Sequence, residues 1–321
     1  MSHPTIGNRL VKNVTVQSMR DRPNCLTSGH RACQGCGEAL GARCVLDAAY
    51  AATGGKIAVV NATGCLEVFS CVYPENSWQV PWLHSLFGNA PAVATGVAAA
   101  FKQQGKSDVR IIAQGGDGAL SDIGMGCLSG MFERNDDVLC VCYDNQAYMN
   151  TGVQRSGATP AFARTATTLP TGNYLGNDAQ TGKNLPKIAM AHEIPYVATA
   201  SIGNIHDLEE KVTKAIHIRG AKYLHVHVPC PLGWGYSPSD TIKIARAAVQ
   251  CGLFPLFEME RGKIMKSTPI KDPVKVDDYL KSQRRFAHLF GKSASPEALA
   301  ALQDIADNNI RDYALAENAN G

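Results

Sequence analysis

The chain has 321 residues, of which 45% are apolar and 18% are charged, and these proportions exclude a disordered chain. A chain of this length can form one large α/β domain or two smaller ones. The net charge of +3 is too small to indicate nucleic-acid binding, and no apolar run is long enough to span a membrane. Because residues 1–20 contain no apolar segment, we expect no secretory signal and a reducing compartment, in which the 11 cysteines are not paired as disulfides.

Through most of the chain, short apolar runs alternate with segments in which apolar residues recur at helical spacing. The apolar runs predict buried strands at residues 56–61, 109–114, 138–143, 196–200 and 223–228. Helical spacing predicts helices at residues 37–53, 91–104, 122–134, 187–192, 205–220 and 240–251. The composition of residues 151–184 predicts a long loop. After Phe254 we expect a short hairpin and then a basic helical tail that includes residues 281–292. This alternation indicates a mostly parallel sheet covered by helices on both faces, in which ligands bind at the carboxyl ends of the strands.

Chemistry-bearing residues follow two of the predicted strands. Gly115-Gly116-Asp117-Gly118 comes directly after residues 109–114, where the glycines let the backbone approach a phosphate and the carboxylate suits Mg²⁺. Asn145 follows the next strand, and its side-chain oxygen and a nearby backbone carbonyl can complete the metal shell. A lone Gly-Asp-Gly is also typical of ordinary turns. Its place after a buried strand, with Asn145 after the next one, resembles the signature of the thiamine-diphosphate (TPP) fold.

Four cysteines predict a metal or cluster site. Cys33 and Cys36 form a CxxC, which fits a redox dithiol, half of a zinc site or half of an iron–sulfur site. Cys65 and Cys230 each follow a predicted strand, and four thiolates suit a [4Fe–4S] cluster or a zinc ion. The residues alone leave Cys25 and Cys251 as rivals of Cys230, although Cys251 lies on a predicted helix. The remaining cysteines are predicted to pack in the core: Cys44, Cys71, Cys127, Cys140 and Cys142.

Taken together, these motifs resemble the β subunit of the 2-oxoacid:ferredoxin oxidoreductases, and in particular its pyruvate (PorB-like) branch. The resemblance covers residues 29–234 and rests on the segments GHRACQGCGE, VNATGCLEV, the GDG region through DIG, YDNQAYMNTGVQRSGATP, IPYVATAS and HVPCPLGW. It implies an α/β, TPP-binding fold with three parts. These are an irregular N-terminal arm (1–28), a domain that binds TPP and the cluster (29–262) and a C-terminal extension that makes subunit contacts (263–321).

The resemblance also assigns roles to individual residues. It implies that the [4Fe–4S] ligands are Cys33, Cys36, Cys65 and Cys230. The implied Mg²⁺ ligands are Asp117, Asn145 and the backbone carbonyl of Ala147. The implied TPP contacts are Glu38, Cys65, Gly116, Asp117, Gly118, Ala119, Asn145 and Asn150. Asn150 also matches the catalytic residue that reaches the 2-oxoacid.

The function implied by the resemblance is the oxidative decarboxylation of a 2-oxoacid, with pyruvate as the leading substrate, to acyl-CoA and CO₂. The implied cofactors are TPP, Mg²⁺ and one [4Fe–4S] cluster, which passes electrons to ferredoxin. An α subunit supplies the pyrimidine site and substrate-binding arginines, alongside γ and ferredoxin-like δ subunits or fusions of them. We therefore expect a cytoplasmic chain that is inactive alone and binds neither nucleic acid nor membrane.

Other functions remain open at this point. Relatives with similar β subunits act on oxalate, phenylglyoxylate, branched-chain 2-oxoacids or 2-oxoglutarate. A TPP decarboxylase or synthase subunit without a cluster would use its cysteines only for packing. In a zinc-bearing binding subunit, the GDG segment would be merely a turn.

Overall fold

The computed structural model describes residues 14–72, 74–178, 182–291 and 295–316, together with the backbone of a short antiparallel pair formed by β1 (Thr5–Ile6) and β2 (Arg9–Leu10). The main sheet contains eight strands: β3 (Ile57–Ala62), β4 (Trp82–Ser85), β5 (Arg110–Gly116), β6 (Val138–Asp144), β7 (Tyr196–Ser201), β8 (Lys222–His227), β9 (Phe257–Glu260) and β10 (Lys263–Ser267). Their order across the sheet is β10-β9-β7-β8-β6-β5-β3-β4. Strands β3 to β8 are parallel, and the β9–β10 hairpin adds two antiparallel strands beside β7. The predicted mostly parallel α/β sheet is confirmed.

Helices cover both faces of this sheet. They are α1 (Gly37–Thr53), α2 (Cys65–Ser70), α3 (Ala90–Gln103), α4 (Met125–Glu133), α5 (Leu185–Ala191), α6 (Ile205–His217), α7 (Pro231–Trp234), α8 (Thr241–Gln250), α9 (Val276–Lys281) and α10 (Pro296–Asp312). Helices α1 and α6 bury their apolar side chains on one face, and α3, α4 and α5 bury theirs on the other. Successive strand residues alternate between the two layers, so that Val59 packs with α1 whereas Val60 packs with α3. None of the helices in the described part of the chain has the length and apolar character needed to cross a bilayer.

The sheet has a switch point between β3 and β5. From β3 the chain continues to β4 on one side, and it then returns to β5 and β6 on the other side. The connections therefore diverge at the carboxyl ends of β3 and β5, which leaves a crevice there. This crevice is where the candidate site lies.

Several short elements were not predicted, and two predicted helices differ from those observed. The unpredicted elements include β1, β2 and a 3-10 helix at Val16–Ser18, all within the arm predicted to be irregular, and α2, β4 and α7, which are too short to give a periodic pattern. The helix predicted at residues 122–134 is split, because Gly118–Ile123 is a π-helix and α4 begins only at Met125. The basic helix predicted at residues 281–292 is wrong as a single helix. Helix α9 ends at Lys281, a 3-10 helix follows at Arg284–Leu289 with three buried residues (Arg285, Phe286 and Leu289), and residues 292–294 lie outside the described part.

A buried ion network fixes the opposite end of the sheet. The Asp137 carboxylate pairs with Arg110 at 2.9 Å, with Arg219 at 2.9 Å and with Lys222 at 2.7 Å. Arg110 and Lys222 are only 6% and 1% exposed. Burial lowers the pKa of Lys222 to about 8, although the charge of Asp137 acts in the opposite direction.

Replacing Asp137 with asparagine should therefore cost about 3 kcal/mol of unfolding free energy, because it leaves buried cations without a partner. Urea unfolding of the variant and the wild type measures this loss. Asp108→Asn is the matched control, since Asp108 pairs with Lys56 at an exposed position and should be nearly neutral. Equal stabilities for the two variants would show that the network is not structural.

Candidate cofactor site

The loop after β5 carries a buried carboxylate. Asp117 is 1% exposed and accepts a hydrogen bond from the hydroxyl of Ser156. Burial raises the pKa of Asp117 well above its usual range, and the charge of nearby Asp144 raises it further. No lysine or arginine within the described ranges forms an ion pair with Asp117. A divalent cation would supply the missing positive charge.

Two glycines beside Asp117 serve different purposes. A Cβ atom on Gly118 would lie 2.6 Å from the ring of Tyr148, so only glycine fits beneath that ring. The hydroxyl of Tyr148 in turn donates to Asp122 at 2.9 Å. At Gly116 a Cβ atom would meet only the carbonyl oxygen of Tyr143, at 3.8 Å, so packing within the protein does not explain this glycine. A bound group lying against the backbone would explain it, and this is how glycine-rich loops receive phosphates.

Asn145 lies after the adjacent strand β6 and is 5% exposed. Its amide nitrogen donates to Glu38 at 3.2 Å, and its backbone carbonyl accepts from the indole nitrogen of Trp234 at 2.9 Å. Its amide oxygen is buried without a hydrogen-bond donor, which is costly unless a ligand takes that place. An unpaired amide oxygen near a buried carboxylate is the kind of donor set that Mg²⁺ prefers. The residues therefore fit the predicted metal.

Glu38 connects this metal side to the cysteines. It lies in the first turn of α1, is 4% exposed, and accepts hydrogen bonds from Asn145 and from the backbone of Leu66 at the start of α2. Burial raises the pKa of Glu38 to about 7. Burial also raises the pKa values of the thiols of Cys36, Cys65 and Cys230, and the charge of Glu38 adds to the rise in all three. The Glu38 carboxylate thus interacts both with the Asn145 amide and with the cysteine thiols.

The four predicted cluster ligands lie close enough to influence the ionisation of one another. Cys36 caps α1, where the Ala39 N–H donates to its sulfur at 3.4 Å, and Cys230 caps α7 in the same way. Cys65 is the first residue of α2. Burial raises the pKa of Cys36 to about 12, and the charge of Cys230 contributes to the rises at Cys36 and Cys65. Cys33 is exposed, and its charge adds to the pKa rise that burial causes at Cys230. The thiols of Cys36, Cys65 and Cys230 are therefore harder to ionise than a free thiol, and a bound cation would favour their thiolate forms.

A close approach of two chain segments brings the CxxC turn near Cys230. The N–H of Gly37 donates to the carbonyl of Pro229 at 3.3 Å, and a Cβ atom on Gly37 would lie 2.5 Å from that oxygen. Gly35 has φ = 71°, and a Cβ atom there would lie 2.4 Å from the carbonyl oxygen of Pro238. Both glycines therefore let the CxxC turn pack against the chain on either side of Cys230.

The rival cysteines are buried, and their thiols donate to backbone carbonyls. The thiol of Cys25 donates to Leu46 at 3.6 Å in the apolar layer around α1, and that of Cys251 donates to Ala248 at 3.4 Å in an apolar cluster formed by α8, α9 and α10. Residues 14–316, apart from the gaps given above, contain no three His, Cys, Asp or Glu side chains that could hold one metal ion. A cluster of four irons holds its thiolates farther apart than one tetrahedral zinc ion does, because each thiolate binds a different iron.

The remaining predicted residues surround the same crevice. The side chain of Asn150 is exposed and forms a hydrogen bond with the Cys65 thiol. Ala119 is buried in the π-helix, and Ala147 is buried in the loop after β6. Sequence reasoning missed Ser156 and Trp234, which hold Asp117 and Asn145. Both lie in segments that carried the family resemblance, so their positions, but not their contacts, could have been noticed.

Comparisons with known proteins show which family and fold this chain is similar to. Residues 62–226 match the family described as "Thiamine pyrophosphate enzyme, C-terminal TPP binding domain". The pyruvate synthase subunit PorB of Methanosarcina barkeri is 50% identical over 291 residues, which cover 90% of this chain and 97% of that protein. The ketoisovalerate oxidoreductase subunit VorB of Pyrococcus abyssi is 40% identical over 269 residues, which cover 82% of this chain and 85% of that protein. A solved 2-oxoglutarate:ferredoxin oxidoreductase from Magnetococcus marinus has a TM-score of 0.56 at 22% identity, covering 76% of this chain and 84% of that one, which supports the fold.

The fold and the site define a TPP enzyme. The chain belongs to the family of 2-oxoacid:ferredoxin oxidoreductase β subunits that includes PorB, whose members work within multi-subunit enzymes. The predicted family, fold class, enzyme class and TPP cofactor are thereby confirmed. The individual site residues, the division at residues 28 and 262, Mg²⁺ and the cluster stay predictions.

Proposed function

We propose that this chain binds TPP through Mg²⁺, together with one [4Fe–4S] cluster, and that with its partner subunits it oxidises pyruvate to acyl-CoA and CO₂ and reduces ferredoxin. The observation that carries the proposal is the position of Glu38, which bonds to Asn145 on the metal side and acts electrostatically on three of the cysteines. These contacts support two adjacent cofactor sites, as electron transfer between them requires.

The chain's own residues bind and orient the TPP cofactor. The backbone of Gly116 to Ala119 would receive the diphosphate, and Asp117, Asn145 and the carbonyl of Ala147 would hold Mg²⁺. When bound, TPP supplies the electron sink for decarboxylation. Ser156 and Trp234 keep the two side-chain ligands in place through their hydrogen bonds. The exposed side chain of Asn150, beside Cys65, is where a 2-oxoacid would meet the protein.

The cluster would be bound by Cys33, Cys36, Cys65 and Cys230. Backbone N–H groups donate to the sulfurs of Cys36 and Cys230, and such donors stabilise the negative charge of a thiolate. Because burial opposes ionisation of these thiols, the positive charge of the irons is needed to bind them as thiolates.

Exposed apolar side chains near the crevice support a covering partner. Leu86 is 75% exposed, Ile123 at the end of the π-helix is 59% exposed, and Leu232 beside Cys230 is 73% exposed. Such residues typically mark protein interfaces. We propose that an α subunit covers them and supplies the pyrimidine carboxylate and substrate-binding arginines, with γ and ferredoxin-like δ subunits completing the enzyme. We also propose a cytoplasmic location, because unpaired thiols and a cluster suit a reducing compartment.

Activity of the assembled enzyme tests the proposal. The complex, purified without oxygen, should reduce a viologen dye with pyruvate and coenzyme A, and kcat/KM for pyruvate should exceed that for each other acid by about tenfold or more. The panel includes 2-oxoisovalerate, 2-oxoglutarate, oxalate and phenylglyoxylate, and the 40% identity to VorB makes 2-oxoisovalerate the main competitor. A preference for another acid would reject pyruvate. Turnover without coenzyme A would reject it as the acyl acceptor.

A further inference from the structure

The loop that carries Asn145 and Ala147 contains an unusual backbone conformation. Gln146, between them, has φ = 67°, in the left-handed region that glycine favours. A residue with a side chain stays in this region only when its surroundings hold it there. The direction in which the Asn145 amide and the Ala147 carbonyl point therefore depends on what holds Gln146.

Three contacts hold Gln146. Its N–H donates to the carboxylate of Asp144 at 2.9 Å, and its carbonyl accepts from the hydroxyl of Thr159 at 2.8 Å. Its side-chain oxygen accepts from a terminal nitrogen of Arg285 at 2.7 Å. The first two contacts come from the loop's own neighbourhood, whereas the third comes from the C-terminal extension.

Arg285 reaches the loop by a second route as well. Its guanidinium carbon lies 3.6 Å from the ring centre of Trp234, and Trp234 donates to the backbone carbonyl of Asn145 at 2.9 Å. A second nitrogen of Arg285 donates to Gln283 at 2.9 Å, which fixes the guanidinium plane. Lysine cannot fill this role, because its ammonium group is not planar and cannot stack on a ring while it donates in two directions.

The burial of Arg285 needs an explanation. The residue is 5% exposed, and no carboxylate in the described part of the chain forms an ion pair with it. Burial lowers the pKa of Arg285 to about 10, so that it stays charged at neutral pH. A buried cation without an ion-pair partner reduces stability, and an apolar residue would pack there at less cost.

Packing alone does not hold this side of the loop. A cavity of about 560 Å³ lies between the sheet and the C-terminal extension, and its lining includes Gln146, His225 and Arg285. Because side chains bordering a cavity have fewer packing neighbours, specific hydrogen bonds decide the position of the loop.

We propose that Arg285 is a positioning residue of the metal and diphosphate site. It acts through Gln146 and Trp234, and it keeps the Asn145 amide oxygen and the Ala147 carbonyl in the arrangement that receives Mg²⁺. This inference rests on the proposed TPP and Mg²⁺ site. It makes part of the C-terminal extension a component of the cofactor site.

The test measures metal binding rather than turnover. The assembled complex is stripped of metal with a chelator, and Mg²⁺ is titrated at saturating TPP with protein-bound TPP as the signal. Arg285→Lys and Gln146→Met should each weaken the apparent affinity for Mg²⁺ by about 10- to 100-fold, the usual effect of losing a residue that orients a metal ligand. Arg284→Lys, at the exposed neighbouring position, is the matched control and should bind as the wild type does.

Two double variants separate positioning from general damage. Arg285→Lys with Gln146→Met should be no weaker than the worse single variant, because both remove the same contact. Arg285→Lys with Gln146→Gly should recover part of the affinity, since glycine adopts the left-handed conformation without support, whereas the stacking on Trp234 stays lost.

Unchanged affinity in Arg285→Lys and Gln146→Met, or strictly additive losses, would overturn the proposal. Gln146→Met keeps Arg285 in place and decides the question even where Arg285→Lys does not assemble. Failure of the wild-type complex to bind TPP with Mg²⁺ would instead reject the site itself.

Discussion

Replacing Cys230 with alanine will remove the iron–sulfur cluster, whereas replacing Cys251 will leave it in place. Cys230 caps α7 on the ligand side of the sheet, and its charge acts on Cys36 and Cys65. Cys251 is 3% exposed in an apolar cluster and bonds to a carbonyl of its own helix. In Cys230→Ala, iron and acid-labile sulfide should fall from about four of each per chain to near zero, because a cluster of this type needs four protein ligands.

The measurement is iron and sulfide analysis of the complex purified without oxygen, with an EPR spectrum after reduction. Cys251→Ala is the matched control, since it removes a thiol of the same size from a different environment. Loss of the cluster only in Cys251→Ala would show that the fourth ligand is misassigned. Zinc without iron in the wild-type complex would reject the cluster, and TPP binding with neither metal at the cysteines would favour the cluster-free alternative.

Asp117→Asn will have opposite effects on cofactor binding and on the stability of the metal-free protein. Retention of TPP in the presence of Mg²⁺ should weaken at least about 100-fold, equivalent to about 2.8 kcal/mol, because the metal loses its charged ligand. Without metal, the variant should unfold at a higher temperature than the wild type, because it removes a buried charge repelled by Asp144. Equilibrium dialysis with TPP and thermal unfolding of the metal-free complex measure the two effects.

The pH dependence gives a further check on Asp117. Burial, and secondarily the charge of Asp144, raise the pKa of Asp117 in the folded protein above the value of 3.8 that it has when unfolded. The folded, metal-free state therefore binds more protons, and its stability falls as the pH rises from 3.8 through the raised pKa. In Asp117→Asn, stability should no longer show the part of its pH dependence that comes from Asp117. Asp108→Asn, at an exposed position, should change neither this pH dependence nor TPP binding. Undiminished TPP retention in Asp117→Asn would refute the metal role.

The sequence predicted the sheet, and the neighbouring positions of two candidate site residues, for a simple reason. Apolar runs identify buried strands, and the carboxyl ends of parallel strands meet at one edge. Asp117 and Asn145, which follow the neighbouring strands β5 and β6, were therefore expected to lie close together. Cys65 and Cys230 follow predicted strands and could be placed in the same way, whereas no spacing rule brings the CxxC, which precedes the first main strand, next to them. Their meeting depends on the close contact between Gly37 and Pro229, which follows from the complete fold.

The supporting contacts were harder still to predict. Trp234 and Arg285 act on the loop after β6 from positions much later in the chain, and the tail that contains Arg285 has no motif. Helices α2 and α7 begin at or next to cysteines and are too short for periodicity to reveal them. Such contacts become visible only when long-range packing is known.

The meeting of Cys36 and Cys230 at the Gly37–Pro229 contact also sets an order of events during biosynthesis. Cys33 and Cys36 leave the ribosome early, whereas Cys230 follows β8, the last of the parallel strands to be made. Because β8 lies between β6 and β7, the pocket closes only after most of the sheet has been translated and paired. The four cysteines can bind a group together only after Cys230 has been translated and β8 has paired, and until then the early thiols are open to oxidation or to the wrong metal.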